Sequence, residues 1–126
     1  MNETTLSALR NGIAAVSPDW ASKVRHETTD IDAVAGSLGY EAIREGWLLH
    51  RVQSRVVAGA SPDLALLIGD WCYAAGLVDV TATGTLDDVA LLADLIADVS
   101  TKPEVATADL EPSWAAARTA LQRKTP

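Results

Sequence analysis

The residues able to do chemistry in this 126-residue chain fall into a few small groups. Arg44, Arg51 and Arg55 are spaced at seven and four, so one helical face would carry all three. Such a set of guanidiniums can hold a carboxylate or a diphosphate through paired hydrogen bonds. Glu41 and Glu45 lie close enough on the same stretch to pair with them instead. Asp30 and Asp32 read DxD, Asp87 and Asp88 read DD, and Asp94 and Asp98 are four apart, where two carboxylates can share Mg²⁺. Asp87 and Asp88 equally suit the positive end of a helix. Asp94 and Asp98 fall opposite an apolar stripe, and a solvated surface is the simpler account of all three pairs. His26 and His50 belong to neither an HExxH nor a Cys-His pattern, so no metal site is expected. Cys72, the only cysteine, sits in an apolar run, where it reads as a small core residue. There is no GxSxG elbow and no phosphate-cradling glycine loop. These groups predict no catalytic residue, no metal and no cofactor.

The elements that must position them are helices. Alanine and leucine are abundant and β-branched runs are short. Leu6, Leu9, Ile13 and Val16 recur at helical spacing from about Glu3. Ser17-Pro18-Asp19 reads as a cap, a first-turn proline and a first-turn acid, opening a helix that carries Trp20 and Val24 to about Thr28. Asp30 can cap a short segment ending at Gly39. The spacing predicts a helix over 40–58, closed by Gly59, and a second long helix from the repeated Ser61-Pro62-Asp63 signal to about Ala82. The string VDVTAT is the one strand-like stretch, and it reads better as the end of that helix. Thr85 caps a further amphipathic helix that ends near Lys102-Pro103. Glu104 to Glu111 reads as loop, and Pro112 starts a last helix with Trp114 and Leu121. The expectation is a single all-α domain over 1–126, an antiparallel bundle of six to seven helices.

Composition excludes several partners. The formal charge of −7 leaves no overall basic face for nucleic acid. One cysteine permits no intrachain disulfide, which suits a reducing compartment. The start lacks a secretory pattern. No uninterrupted apolar run reaches about 18 residues, so no membrane span is expected and the cytoplasm is the expected location.

One segment goes beyond composition. Residues 66–99 begin LLIGDWCYAAGLV, with Gly69 and Asp70 side by side in an apolar helix. A glycine there costs about 1 kcal/mol relative to alanine, and a carboxylate among leucines needs water, a partner or a proton. Leu67, Ile68, Gly69, Asp70, Trp71 and Ala74, followed by a turn at Thr83-Gly84, resemble the "LLAGDYLLA"-type run of the trans-isoprenyl diphosphate synthases, the polyprenyl synthetase family. The resemblance implies an isoprenoid-synthase-like helical fold. It also implies that Gly69 admits a neighbouring helix while Asp70 turns inward to a polar partner, against the alternative that Gly69 only relieves crowding from Trp71 and Asp70 faces solvent. The family holds its Mg²⁺ ions with two DDxxD motifs. Where the first would follow an "LxHD" string, this chain reads Leu48-Leu49-His50-Arg51-Val52-Gln53-Ser54-Arg55, and nothing like the second is present. Without clustered carboxylates the metals that neutralise diphosphate have no holder.

The resemblance therefore implies a noncatalytic small subunit of a heteromeric prenyl diphosphate synthase that modulates chain elongation. Its partner would be a catalytic prenyltransferase chain or another copy of itself, with an apolar isoprenoid as a possible ligand. Leu64, Leu67, Ile68, Asp70, Trp71 and Leu77 would form the partner or prenyl-chain surface, against the alternative that they fill the chain's own core. Two other readings stay open: an enzyme with an unrecognised anion site at Arg44, Arg51 and Arg55, and a helical adaptor or small-ligand binder unrelated to isoprenoids.

Overall fold

The computed structural model describes residues 5–25 and 37–122. His26, Asp30, Asp32 and the short segment expected from Asp30 lie outside the described residues. Among those described there are six helices and no strand: α1 (Thr5–Ala14), α2 (Pro18–Ala21), α3 (Leu38–His50), α4 (Pro62–Thr83), α5 (Leu86–Ser100) and α6 (Thr107–Gln122). The all-α class expected from composition holds. The chain divides into two compact units, Met1–Asp79 and Val80–Pro126, with the boundary inside α4.

In the first unit α1 buries Leu6, Leu9 and Ile13, the face its spacing predicted. They join Leu49, Val56, Ile68 and Cys72 in one apolar cluster, with Trp71 packed against it. Each aliphatic side chain so buried contributes about 1.5–3 kcal/mol. Trp20 and Trp71 meet edge to face with ring centroids 6.2 Å apart, an arrangement aromatic quadrupoles favour.

Glycines set the contact between α3 and α4. A Cβ on Gly69 would lie 2.7 Å from the His50 ring and 3.1 Å from the Gly46 carbonyl oxygen. One on Gly76 would lie 2.6 Å from Ile43 Cγ1 and 2.8 Å from the Gly39 carbonyl oxygen. Gly39 and Gly46 on α3 and Gly69 and Gly76 on α4 are each seven apart, so two turns of backbone touch backbone. The pairing of 46 with 69 and 39 with 76 makes the two helices antiparallel. The Asp79 carboxylate also accepts a hydrogen bond from the Gly39 N–H at 2.9 Å, satisfying one of the donors that a helix start leaves open. Gly69 is thus explained by close approach, one of the two readings open for it.

Three helix boundaries differ from the sequence reading. The helix expected over 40–58 begins at Leu38, capped by the Ser37 hydroxyl, and stops at His50. The Gln53 N–H bonds the Leu48 carbonyl and the Val52 N–H bonds the Leu49 carbonyl, a reverse turn that needs a left-handed residue. Val52 takes that role at φ 57°, although glycine is the usual occupant. Residues 51–61 then run as irregular chain, in which Gly59 also has positive φ. The helix expected to reach Thr28 ends at Ala21, although Ser17 does cap it. Val24 instead forms an isolated antiparallel bridge with Val57, so backbone pairing with residues 56–58 overrides the helical pattern. The last helix starts at Thr107 and not at Pro112, which lies inside it.

The VDVTAT stretch, within which the first unit gives way to the second, ends α4 as helix. Thr85 and Asp88 form a reciprocal cap at the start of α5, the Asp88 N–H bonding the Thr85 hydroxyl and the Thr85 N–H the Asp88 carboxylate. Leu92, Leu95 and Val99 of α5 and Leu110, Trp114 and Ala117 of α6 are buried.

Candidate functional site

The most concentrated chemistry lies where α3 meets the irregular segment after it. Glu41 and Glu45, one helical turn apart, each have no exposed surface. Arg55 comes back over them. Its Nε donates to Glu45 Oε2 at 2.7 Å and one of its terminal nitrogens donates to Glu41 Oε1 at 2.9 Å. The Arg55 backbone N–H and the Ser54 hydroxyl both donate to Glu45 Oε1. Ser54 in turn accepts from the N–H groups of Val56 and Val57 at 3.0 and 2.9 Å. This single network ends the regular helix, because Glu45 holds the Ser54-Arg55 backbone in a non-helical course.

Burial by itself would lower the pKa of Arg55. The charges of Glu45 and Glu41 and their hydrogen bonds outweigh that, so it is raised and the guanidinium stays charged. The two buried carboxylates share the one Arg55 guanidinium. The guanidinium fills the place between two inward carboxylates where a cation would sit. The arrangement is a buried ion-pair cluster, in which Arg55 is already engaged by carboxylates of its own chain.

The three arginines expected on one face are therefore not brought together. Arg55 has left the helix for the two glutamates. Arg51 lies over the Trp47 ring, its guanidinium carbon 5.2 Å from the ring centroid. Arg44 is half-buried on α3. Sequence reasoning placed Glu41 and Glu45 as surface partners and missed that they lie in the interior. The one signal available was that Tyr40, Ala42, Ile43, Trp47, Leu48 and Leu49 surround them, an apolar set too wide for a half-exposed helix.

Asp70 combines the two alternatives left open for it. Its carboxylate is largely exposed and lies 2.9 Å from His50 Nε2. The His50 ring also meets Tyr73 edge to face at 5.1 Å. Cys72 is fully buried. Burial pushes its thiol pKa up, and the Glu45 charge acts the same way, so it is a neutral core group and not a nucleophile. Among the described residues no three His, Cys, Asp or Glu side chains are gathered as a metal site would need.

The six residues expected to form a partner or prenyl-chain surface divide between two environments. Ile68 is wholly inside the core, and Leu64 and Trp71 pack against it half-buried. Leu77 is half-buried, while Leu67 and Asp70 face solvent. A different set makes the outward face of α4: Leu66, Leu67, Asp70, Ala74 and Val78, which recur one turn apart. Leu67 is 56% exposed and Val78 69%. By length and composition alone α4 is also apolar enough to cross a membrane, with a mean hydropathy of 1.4, and one third of that stretch is buried within the chain.

Comparison with protein-family models, with curated proteins and with solved structures finds no match for this chain.

Proposed function

We propose that this protein is a noncatalytic, partner-binding helical subunit, and that its docking surface is the outward face of α4. The observation that carries the reading is the apolar strip of Leu66, Leu67, Ala74 and Val78, left open on a helix whose opposite side is tightly packed. Covering its three large side chains, each about half to two-thirds exposed, is worth roughly 3 kcal/mol. That is enough for an anchoring cluster within a larger interface of about 800 Å² per partner. The close α3–α4 contact makes the strip rigid, so little ordering cost opposes binding.

Asp70 in the middle of the strip favours a protein partner over lipid. A carboxylate held near His50 tolerates a hydrated protein interface, whereas one facing hydrocarbon costs several kcal/mol. The partner we propose, from the resemblance of residues 66–99 to prenyl synthases, is the catalytic chain of a heteromeric prenyl diphosphate synthase, whose elongation this subunit would modulate. The buried Arg55 pairing supports a noncatalytic role, because one of the three arginines that could have formed an anion site is already engaged by internal carboxylates.

The test is co-expression with a full-length synthase bearing both aspartate-rich motifs, followed by size-exclusion chromatography and product analysis with and without this chain. The reading expects co-elution and a shifted product-length distribution. Elongation of allylic substrates by this chain alone with Mg²⁺ would overturn it, and so would self-association with no response to the synthase.

A further inference from the structure

The segment that follows α3 encloses a cleft with a volume of about 190 Å³, within the first unit and away from the outward face of α4. Its floor is apolar: Leu49, Val57 and Ala65 line it, and all three are buried. Its rim carries Arg25, Val52 and Gly59, all exposed. A side chain placed on Gly59 would meet nothing within 4 Å, so the mouth is open there. Among the described residues Arg25 forms no ion pair; its backbone is fixed by the N–H bond to Val56 and by Arg10, which donates to its carbonyl. Arg25 on the rim, its backbone anchored, beside a buried apolar floor supplies the two halves of a binding site for an amphipathic anion.

Val52 adds an independent observation. A β-branched residue at φ 57° is a backbone outlier, and such outliers collect at ligand-binding segments. Here the strained residue forms the cleft wall.

We propose that this cleft binds a small carboxylate bearing a short alkyl tail, the head on Arg25 and the tail over Leu49, Val57 and Ala65. The size excludes a drug-sized ligand, which needs a pocket of about 300 Å³ or more. The charge favours a carboxylate over a phosphate dianion. One arginine supplies a single bidentate contact, and Ser54 in the cleft wall is hydrogen-bonded to the Glu45 carboxylate. The inference is independent of any partner on α4.

The experiment is an amide-resonance NMR titration of the full chain with hexanoate, with hexan-1-ol as the neutral probe. Saturable shifts centred on the amides of Val52, Gly59 and Ala65 are expected, with hexan-1-ol at least about tenfold weaker. Arg25→Gln should weaken hexanoate by about tenfold and leave hexan-1-ol unchanged. Ala58→Trp, which fills the mouth from an exposed position, should abolish both. Spectra of both variants establish that each is folded. No saturable shift with hexanoate would overturn the proposal, as would equal affinity in Arg25→Gln or shifts confined to the outward face of α4.

Discussion

Replacing Arg55 by methionine isolates the interaction that shapes the irregular segment. The side chain has similar reach but no charge, so Glu41 and Glu45 keep their positions without the guanidinium that neutralises them. Both have no exposed surface, and their bonds to Arg55 are 2.7 and 2.9 Å long. Stripping a partner from such a pair costs about 3–5 kcal/mol, because uncompensated charge stays buried. A domain of ordinary stability has about 5–15 kcal/mol in total, so the variant approaches unfolding at neutral pH. In urea, with a slope of about 2 kcal/mol/M, the midpoint falls by roughly 2 M, read by tryptophan fluorescence. The triple variant Glu41→Gln, Glu45→Gln, Arg55→Met should recover much of the loss. A midpoint change below about 0.5 M for Arg55→Met, the size expected of an exposed ion pair, would refute the account of a buried cluster.

Other perturbations test separate parts of the account. Gly76→Ala drives a methyl against Ile43 and the Gly39 carbonyl, and denaturation should show a loss of about 1–3 kcal/mol. Val52→Gly removes a left-handed valine and should stabilise the chain by up to about 1 kcal/mol by the same measurement. Thr85→Ala deletes one half of the reciprocal cap on α5 and should cost about 1 kcal/mol, seen as a lower Tm. Cys72 should react with a thiol reagent only after unfolding. Because its folded pKa is raised, the unfolded thiol ionises first. Stability should therefore fall as pH rises above about 8.5, and Cys72→Ala should remove that component.

Much of the helical layout was legible because local signals and tertiary structure agree. Ser17, Ser61 and Thr85 each bond the N–H three residues ahead, the chemistry their positions advertised. Gly69 was half legible: close approach was one account of a glycine in an apolar helix and relief of crowding from Trp71 the other, and only the packing against Gly46 and His50 chooses between them. The end of α3 was not readable. Nothing in Val52, Val56 or Val57 announces a stop, and the residue at the left-handed position is one that avoids it. Glu45, ten residues back, captures Ser54 and Arg55 and imposes the turn from a distance. For the same reason the arginine spacing misled: a face defined over 44–55 presupposes a helix that reaches Arg55, whereas α3 ends at His50. Pro112 suggested a helix start by its usual placement, yet Thr107 begins the helix one and a half turns earlier.

The central claim is that the open strip on α4 docks a catalytic chain, and isothermal titration of a full-length prenyl synthase with this protein tests it most directly. Wild type should bind saturably, and Leu67→Glu, a change at an exposed position that leaves the core untouched, should weaken binding by about 100-fold while far-UV circular dichroism is unchanged. No heat of binding with wild type, or equal affinity for the two proteins, would contradict it.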